Sequence, residues 1–370
     1  MEGIKFAKRH IRRDSFVPTT PKKVRVSPNR QPFIKVEHFA DRAAKPKVLP
    51  SKAELENYLS NFTDLQNIGV GSFGTVYKAL HVQEQRYYAL KVLKYPIASD
   101  TERTRLIKEL CYVKSFYPHP HLVSYIFAWE QIENDCPLLH LQMELCRENL
   151  SKYISSFQQH NDSKYFEEDR LWRFLTDIAL GLRRIHSQQL VHRDIKPSNI
   201  FFDYDDNLRI GDFGLLVRLS ECESDSRDGD NRYMAPEVTR DDEVTLSADI
   251  FSLGMTIFEA ACLIELPNSG SSWDLLRGSD PCSISEFPSF YSYELQQLLN
   301  KMLHPSPGER PSIEDIIAHP RVAFELEKRS AERSSQYVYE LSRAPTPYSI
   351  LSLDLHTSPV TNSKVSRKLF

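Results

Sequence analysis

The sequence predicts an α+β fold of two lobes, the first rich in strands and the second helical. Three observations carry that prediction. Short runs of branched and aromatic residues follow Ser60, among them "TVYKAL" and "RYYALKVL", with the polar "HVQEQR" between them, as strands joined by a hairpin would be. Past about residue 150 the period lengthens. Leu171, Phe174, Leu175, Ile178, Leu182 and Ile185 recur at three- and four-residue intervals, one face of an α-helix. Ser247 to Cys262 is apolar almost all round, which places it as a central buried helix rather than a surface one.

The chain of 370 residues is 41% hydrophobic, enough to bury a sizeable core. We expect a folded region over 62–320, divided into an N-lobe (62–146) and a C-lobe (147–320). Residues 1–50 carry Lys5, Lys8, Arg9, Arg12, Arg13, Lys22, Lys23, Arg25 and Arg30 with few large aliphatics, and read as a disordered basic tail. That tail is either a nuclear-import or acidic-surface patch or simply solvated. Residues 321–370 return to Ser, Pro and charge and read as a second tail.

A net charge of −3 gives no reason to expect nucleic acid as a partner. Six cysteines are scattered without C-x-x-C pairs, as free thiols in a reducing compartment, nucleus or cytoplasm, would be. The most apolar stretch, Ile250 to Leu266, is interrupted by Ser252, Thr256, Glu259 and Glu265. It falls short of the roughly 18 uninterrupted apolar residues of a membrane helix, so no membrane anchor is expected.

"IGVGSFGTV" sets Gly69, Gly71 and Gly74 among Ile68, Val70, Ser72, Phe73, Thr75 and Val76. A dinucleotide fold uses such glycines at a strand-to-helix turn, but Thr75, Val76 and Tyr77 favour a strand. A glycine hairpin over a nucleotide's phosphates, followed by a lysine on the third strand, is the protein-kinase alternative, and "YYALKVL" supplies Lys91. Glycines let the backbone approach phosphate oxygens without a Cβ in the way.

A second constellation follows. "VHRDIKPSNIFF" holds H-R-D with an asparagine five residues on, and "IGDFG" comes after the polar turn "DYDDN". Each acid alone could be an ordinary surface charge. Their joint order resembles a kinase catalytic loop. The resemblance implies that Asp194 takes or orients the proton of the attacking hydroxyl, that Lys196 meets the charge of the transferred phosphate, and that Asn199 and Asp212 offer oxygens to Mg²⁺ bound with ATP. It further implies an ion pair between Glu237 of "YMAPE" and Arg310 of "GERP". It places Glu109, preferred to Glu102, as the partner of Lys91, and sets adenine at a hinge near Glu144 and Cys146 with Met143 as gatekeeper.

The chain from about 62 to 320 resembles protein kinases throughout, with a β-rich N-lobe and helical C-lobe. Finer strings resemble the Wee/Myt family of Cdk-inhibitory kinases: "LQMELC", "GDFGLLV", "DGDNRYMAPE", "ADIFSLGMTIFEAA", and "IELP" before "WDLLR". That resemblance implies a monomer that phosphorylates the adjacent threonine and tyrosine in a cyclin-dependent kinase's glycine loop, with a Cdk–cyclin complex as protein partner. Two departures stand out. Arg193 replaces the family's usual leucine or methionine, and in many kinases that arginine grips an activation-segment phosphate. Ser220, Ser224 and Ser226 are candidates to carry it, and Asp228 and Asp230 to mimic it. The second departure is the lack, in 321–370, of the hydrophobic segment that holds Myt kinases on internal membranes.

The ending "SRKLF" resembles a cyclin-docking peptide through Arg367, Leu369 and Phe370, though such strings also arise by chance. "TPKK" at Thr20 and "SPNR" at Ser27 look like Cdk phosphorylation sites. A serine/threonine kinase of another pathway is the alternative, suggested by the full H-R-D and Lys196. A non-catalytic cyclin-binding scaffold is the third reading.

Overall fold

The computed structural model describes residues 58–71, 74–94, 108–113, 118–133, 136–160, 164–221, 229–241, 243–278 and 287–343, and the backbone of 37–38. Thr20, Ser27, Ser72, Phe73, Glu102, Ser224, Ser226, Asp228, Arg367, Leu369 and Phe370 lie outside the described residues. The chain divides into two compact units, Met1–Glu325 and Leu326–Phe370, and everything below concerns the first unless stated.

Strands β1 (Glu37–His38), β2 (Phe62–Gly71), β3 (Gly74–His81), β4 (Arg86–Lys94), β5 (Tyr125–Glu133) and β6 (Cys136–Glu144) form one antiparallel sheet in the order β1-β5-β6-β4-β3-β2. The polar turn after β3 closes with His81 opposite Arg86, and Gln85 takes φ 51. Alternation along β4 divides its side chains between two buried faces. Tyr88 and Leu90 join Phe62, Ala79, Phe127 and Trp129 in one cluster, over which Tyr58 packs at 4.7 Å from the Phe127 and Trp129 rings. Ala89, Lys91 and Leu93 are buried on the other face. Residues 108–113, here α1, are helical, with Leu110 and Val113 buried.

The C-lobe begins with β7 (Glu148–Asn149), α2 (Leu150–His160) and α3 (Glu168–His186). The six apolar positions that predict α3 are all buried in it. Next come β8 (Leu190–Val191), β9 (Ile200–Phe202), β10 (Leu208–Ile210) and β11 (Val217–Arg218), then α4 (Pro236–Asp241) and α5 (Leu246–Cys262). Every residue of α5 from Ala248 to Cys262 is buried, as its apolar circumference requires. Thr245 caps its start by accepting from Ala248 N, and Leu263 at φ 52 ends it. The remaining helices are α6 (Ser271–Leu275), α7 (Tyr293–Met302), α8 (Ile313–Ile317) and α9 (Pro320–Arg343).

Two elements fall within the segments expected to be tails. Glu37 and His38, inside the expected basic tail, pair with Ala128 and Phe127 as an added edge strand. A two-residue pairing of that kind depends on a partner far along the chain, which composition does not reveal. The expected second tail opens with α9, whose residues Val322 and Glu325 are buried three positions apart, a helical spacing hidden by the segment's charge.

The lobes are joined through main chain. Val123 N donates to Ile210 O at 2.8 Å, and Ile210 N to His121 O at 3.0 Å. Glu144, at the end of β6, donates its N–H to Ser124 O at 2.9 Å, while its carboxylate accepts from Ser124 N and, at 3.3 Å, from Arg209 Nη1. Arg209 also meets Asp203 at 3.0 Å. The residues before β5 are thereby fastened to the C-lobe.

Candidate active site

The loop after β8 is held from below by α5. Asp249, with none of its surface exposed, accepts from His192 N at 2.8 Å, from Arg193 N at 2.9 Å, and lies 2.9 Å from His186 Nε2. These bonds fix Arg193 at φ 69, a left-handed conformation unusual for a side-chain-bearing residue. His192 is sealed, its ring 5.7 Å from Phe213. Burial lowers its pKa against the pull of Asp249, Asp194 and Asp212, which favours the neutral ring.

Asp194 then stands between two side chains. Asn199 Nδ2 donates to its Oδ2 at 2.7 Å and to its carbonyl at 2.9 Å, while the Lys196 ammonium lies 2.9 Å from Oδ1. Pro197–Asn199 is a single 3₁₀ turn, which brings Asn199 back over Asp194. Asn199 O accepts from Gly211 N at 2.9 Å, so this loop and the one carrying Asp212 are tied directly.

Asp212 has φ 57, and its Oδ1 accepts from Lys91 Nζ at 2.6 Å. Burial opposes ionisation of Asp212, but Lys91, by its charge and its hydrogen bond, outweighs it and holds the carboxyl below the usual range. Burial likewise opposes the charge on Lys91, and Asp212, Glu109 and Asp194 reverse that, raising its pKa. Glu109 is itself buried on α1, where its Oε1 lies 3.4 Å from Tyr125 Oη. A lysine charged on both counts stands against a carboxylate aimed at the same opening.

The glycine hairpin forms the upper wall. Gly71 pairs with Gly74, Val70 with Thr75 and Gly69 with Val76. A Cβ on Gly69 would meet nothing within 4 Å, whereas one on Gly74 would stand 2.2 Å from Val92 O. Gly74 is thus required by the strand beneath it, and Gly69 leaves open space beside the backbone. Ile68 and Val70 are exposed. Met143 is buried at the cleft end of β6. Glu144 turns its carboxylate to Ser124 and Arg209, which leaves main chain as its contribution to a ligand. Burial, then Glu144, pushes the Cys146 thiol up to about 12, so it is a neutral wall atom.

The segment after the Asp212 loop is anchored at both described ends. Glu221 accepts from Tyr112 Oη at 2.7 Å and from Lys108 Nζ at 3.2 Å, both on α1. Beyond 222–228, Asp230 takes Arg232 Nη2 at 2.6 Å and lies 3.9 Å from Lys196. Glu237 and Arg310 form an ion pair at 2.6 Å with side chains 4% and 0% exposed. Ser220 is exposed.

These residues fit a magnesium nucleotide. Asn199 commits its amide nitrogen to Asp194, which leaves Oδ1 for a cation, and Asp212 adds an ionised carboxylate. Two hard oxygens from protein, with the rest from phosphate and water, is the usual arrangement for Mg²⁺. Among the described residues no cluster of three His, Cys, Asp or Glu forms a site of its own.

A sequence model of the protein kinase domain matches residues 62–322. The chain is a protein kinase. This kinase is similar to the membrane-associated tyrosine- and threonine-specific cdc2-inhibitory kinase of Drosophila melanogaster, 34% identical over 284 residues, 76% of this chain and 51% of that one. It is 32% identical to the mitosis inhibitor protein kinase wee1 of Schizosaccharomyces pombe over 317 residues, 79% of this chain and 35% of that one. A probable protein kinase of Dictyostelium discoideum is 34% identical over 298 residues, 80% of this chain and 81% of its own. The kinase thus spans about half the length of the fly relative and about a third of the yeast one. As a member of this family it is an ATP-dependent enzyme with a protein substrate, and no helix among its described residues is long and apolar enough to cross a membrane.

Sequence reading missed Asp249, which organises the loop under Asp194, and Arg277, which holds the chain around Met234. The first sits in a quoted string, "ADIFSLGMTIFEAA", where an acid near the start of an apolar run was the available signal.

Proposed function

We propose that this kinase transfers the γ-phosphate of ATP to the adjacent threonine and tyrosine in the glycine loop of a cyclin-dependent kinase, and so restrains the onset of mitosis. The observation that carries this reading is the similarity, at 34% and 32% identity, to proteins described as a cdc2-inhibitory kinase and a mitosis inhibitor. The geometry supplies the chemistry. Asp194 takes the proton of the incoming hydroxyl, within reach of Lys196, whose ammonium balances charge gathering on the transferred group. Asn199 and Asp212 would hold Mg²⁺, which when bound would supply positive charge against the phosphates. Lys91, charged by Asp212 and Glu109, orients the phosphates beneath Gly69, Gly71 and Gly74. Met143 and the main chain of Glu144 and Cys146 flank the base.

Glu237 and Arg310 lock the far end of the segment that receives the polypeptide. Arg193 beside Asp194 favours a second reading, a serine/threonine kinase of another pathway that is switched by a phosphate on its activation segment. Mass spectrometry of a purified Cdk–cyclin complex incubated with the kinase and MgATP separates the two. Phosphate on the glycine-loop threonine or tyrosine supports the first reading. Its absence there, with labelling of unrelated serine peptides, supports the second.

A further inference from the structure

Arg277 is a buried cation whose contacts all fall on one strip of chain and one aromatic wall. It keeps 3% of its surface exposed, burial opposes its charge, and Asp274 offsets that only in part. Its Nε donates to Met234 O at 3.2 Å. Its Nη2 reaches the carbonyls of Asn231 at 2.7 Å, Arg232 at 3.2 Å and Met234 at 2.8 Å. Nη1 donates to Trp273 O at 3.2 Å. The guanidinium lies over the Trp273 ring, 3.7 Å from its centroid, and 5.5 Å from that of Phe251 on α5. Trp273 Nε1 adds a bond to Asn231 O at 2.9 Å.

A buried charge whose acidic neighbour only partly offsets its burial is costly unless dipoles replace the water it has lost. Here the dipoles are peptide carbonyls, and three of the four belong to residues 231–234. An apolar side chain would fill this volume without that cost, so the arginine has a task beyond cohesion. The strip it grips runs from Asp230, which lies 3.9 Å from Lys196, towards Glu237 in its buried ion pair. Its outer side borders a hollow of about 410 Å³ lined by Asn231, Met234, Thr239, Asn268 and Trp273.

We propose that Arg277 is a positioning residue for the protein substrate: it fixes the carbonyls of 231–234 so that the other edge of the strip meets an incoming polypeptide in register with Asp194. Trp273 acts with it, as the plate on which the guanidinium lies and as a second donor to Asn231. The inference rests on the chain being a protein kinase and not on which protein it modifies. ATP, held under the other lobe, is remote from this contact.

The test compares the full chain with Arg277→Met, Arg277→Lys and Trp273→Phe. Myelin basic protein and a Cdk–cyclin complex serve as substrates, and ATP hydrolysis without protein is followed in parallel. We expect Arg277→Met to raise the KM for myelin basic protein by about 10-fold or more, as loss of register does, while the KM for ATP moves less than about 2-fold. Arg277→Lys, which keeps charge but loses the planar fork, falls between. If Arg277→Met does not fold by thermal shift, Trp273→Phe carries the test with a smaller rise in the same direction. An unaltered protein KM in a folded Arg277→Met, or in Trp273→Phe, overturns the proposal, as does an equal loss of ATP hydrolysis and protein labelling. Should the parent chain label myelin basic protein and not the Cdk complex, the Cdk assignment falls, and the Arg277 comparison is still read on myelin basic protein.

Discussion

The two carboxylate oxygens of Glu237 each accept one hydrogen bond from Arg310, at 2.6 and 2.7 Å, and Arg310 further donates to the carbonyls of Ser247, His304 and Pro305. Arg310→Ala strands a buried carboxylate, a change that costs about 3–5 kcal/mol. We expect Tm to fall on the order of 10 °C. The paired change Glu237→Leu with Arg310→Met should lose less than either single change in urea unfolding, because it removes both charges together.

Asp194→Asn keeps an acceptor for Asn199 while removing the proposed base. Turnover should drop by about 10²–10⁴-fold with Tm and nucleotide affinity preserved. Single-turnover labelling of a protein substrate checks this. Undiminished turnover would remove Asp194 from the proton-transfer role.

The glycines of the hairpin separate structure from ligand contact. Gly74→Ala forces a Cβ against Val92 O, whereas Gly69→Ala meets no neighbouring atom within 4 Å. The first should lower Tm. The second should leave Tm in place and raise the KM for ATP, because the added methyl occupies space beside the backbone where phosphates are proposed to lie. Equal effects on both measurements would remove the distinction.

His140 supplies a pH dependence. Its ring is stacked on Trp129 at 4.8 Å and 10°, and burial pushes its pKa down to about 4, only partly opposed by the Leu138 backbone. In the unfolded chain a histidine protonates near 6.5. The stabilising contribution of the neutral ring is therefore complete above about pH 6.5 and is lost as pH falls from there towards 4, where the unfolded chain binds the proton and the folded one does not. His140→Phe keeps the stacked area and removes the titration. The fall in Tm between pH 7.5 and pH 5 should be smaller in the variant, by roughly the amount linkage assigns to one histidine.

Elements set by local pattern were legible. The β3–β4 hairpin follows from alternation on either side of a polar turn, and α5 from an apolar circumference, because each pattern lies within one short window. Asp194, Lys196 and Asn199 meet because a single turn joins them, so their spacing carried their proximity. Features that depend on distant partners were not legible. Asp249 meets Arg193 and His192 across 56 and 57 positions, and nothing local to either segment announces the meeting. The turn of Glu144 towards Arg209, 65 positions on, is of the same kind.

The fastening of residues 121–123 to Ile210 decides how the cleft can open. These residues are bonded to the floor, so any opening of the roof would turn on two adjacent points, one just before Tyr125 and the other at Glu144. Met143 sits beside the second of these points and would shift least. The glycine hairpin, at the opposite border of the sheet, would move furthest. If the cleft is the nucleotide site proposed above, release would begin at the phosphate end, with the base as the last part to let go.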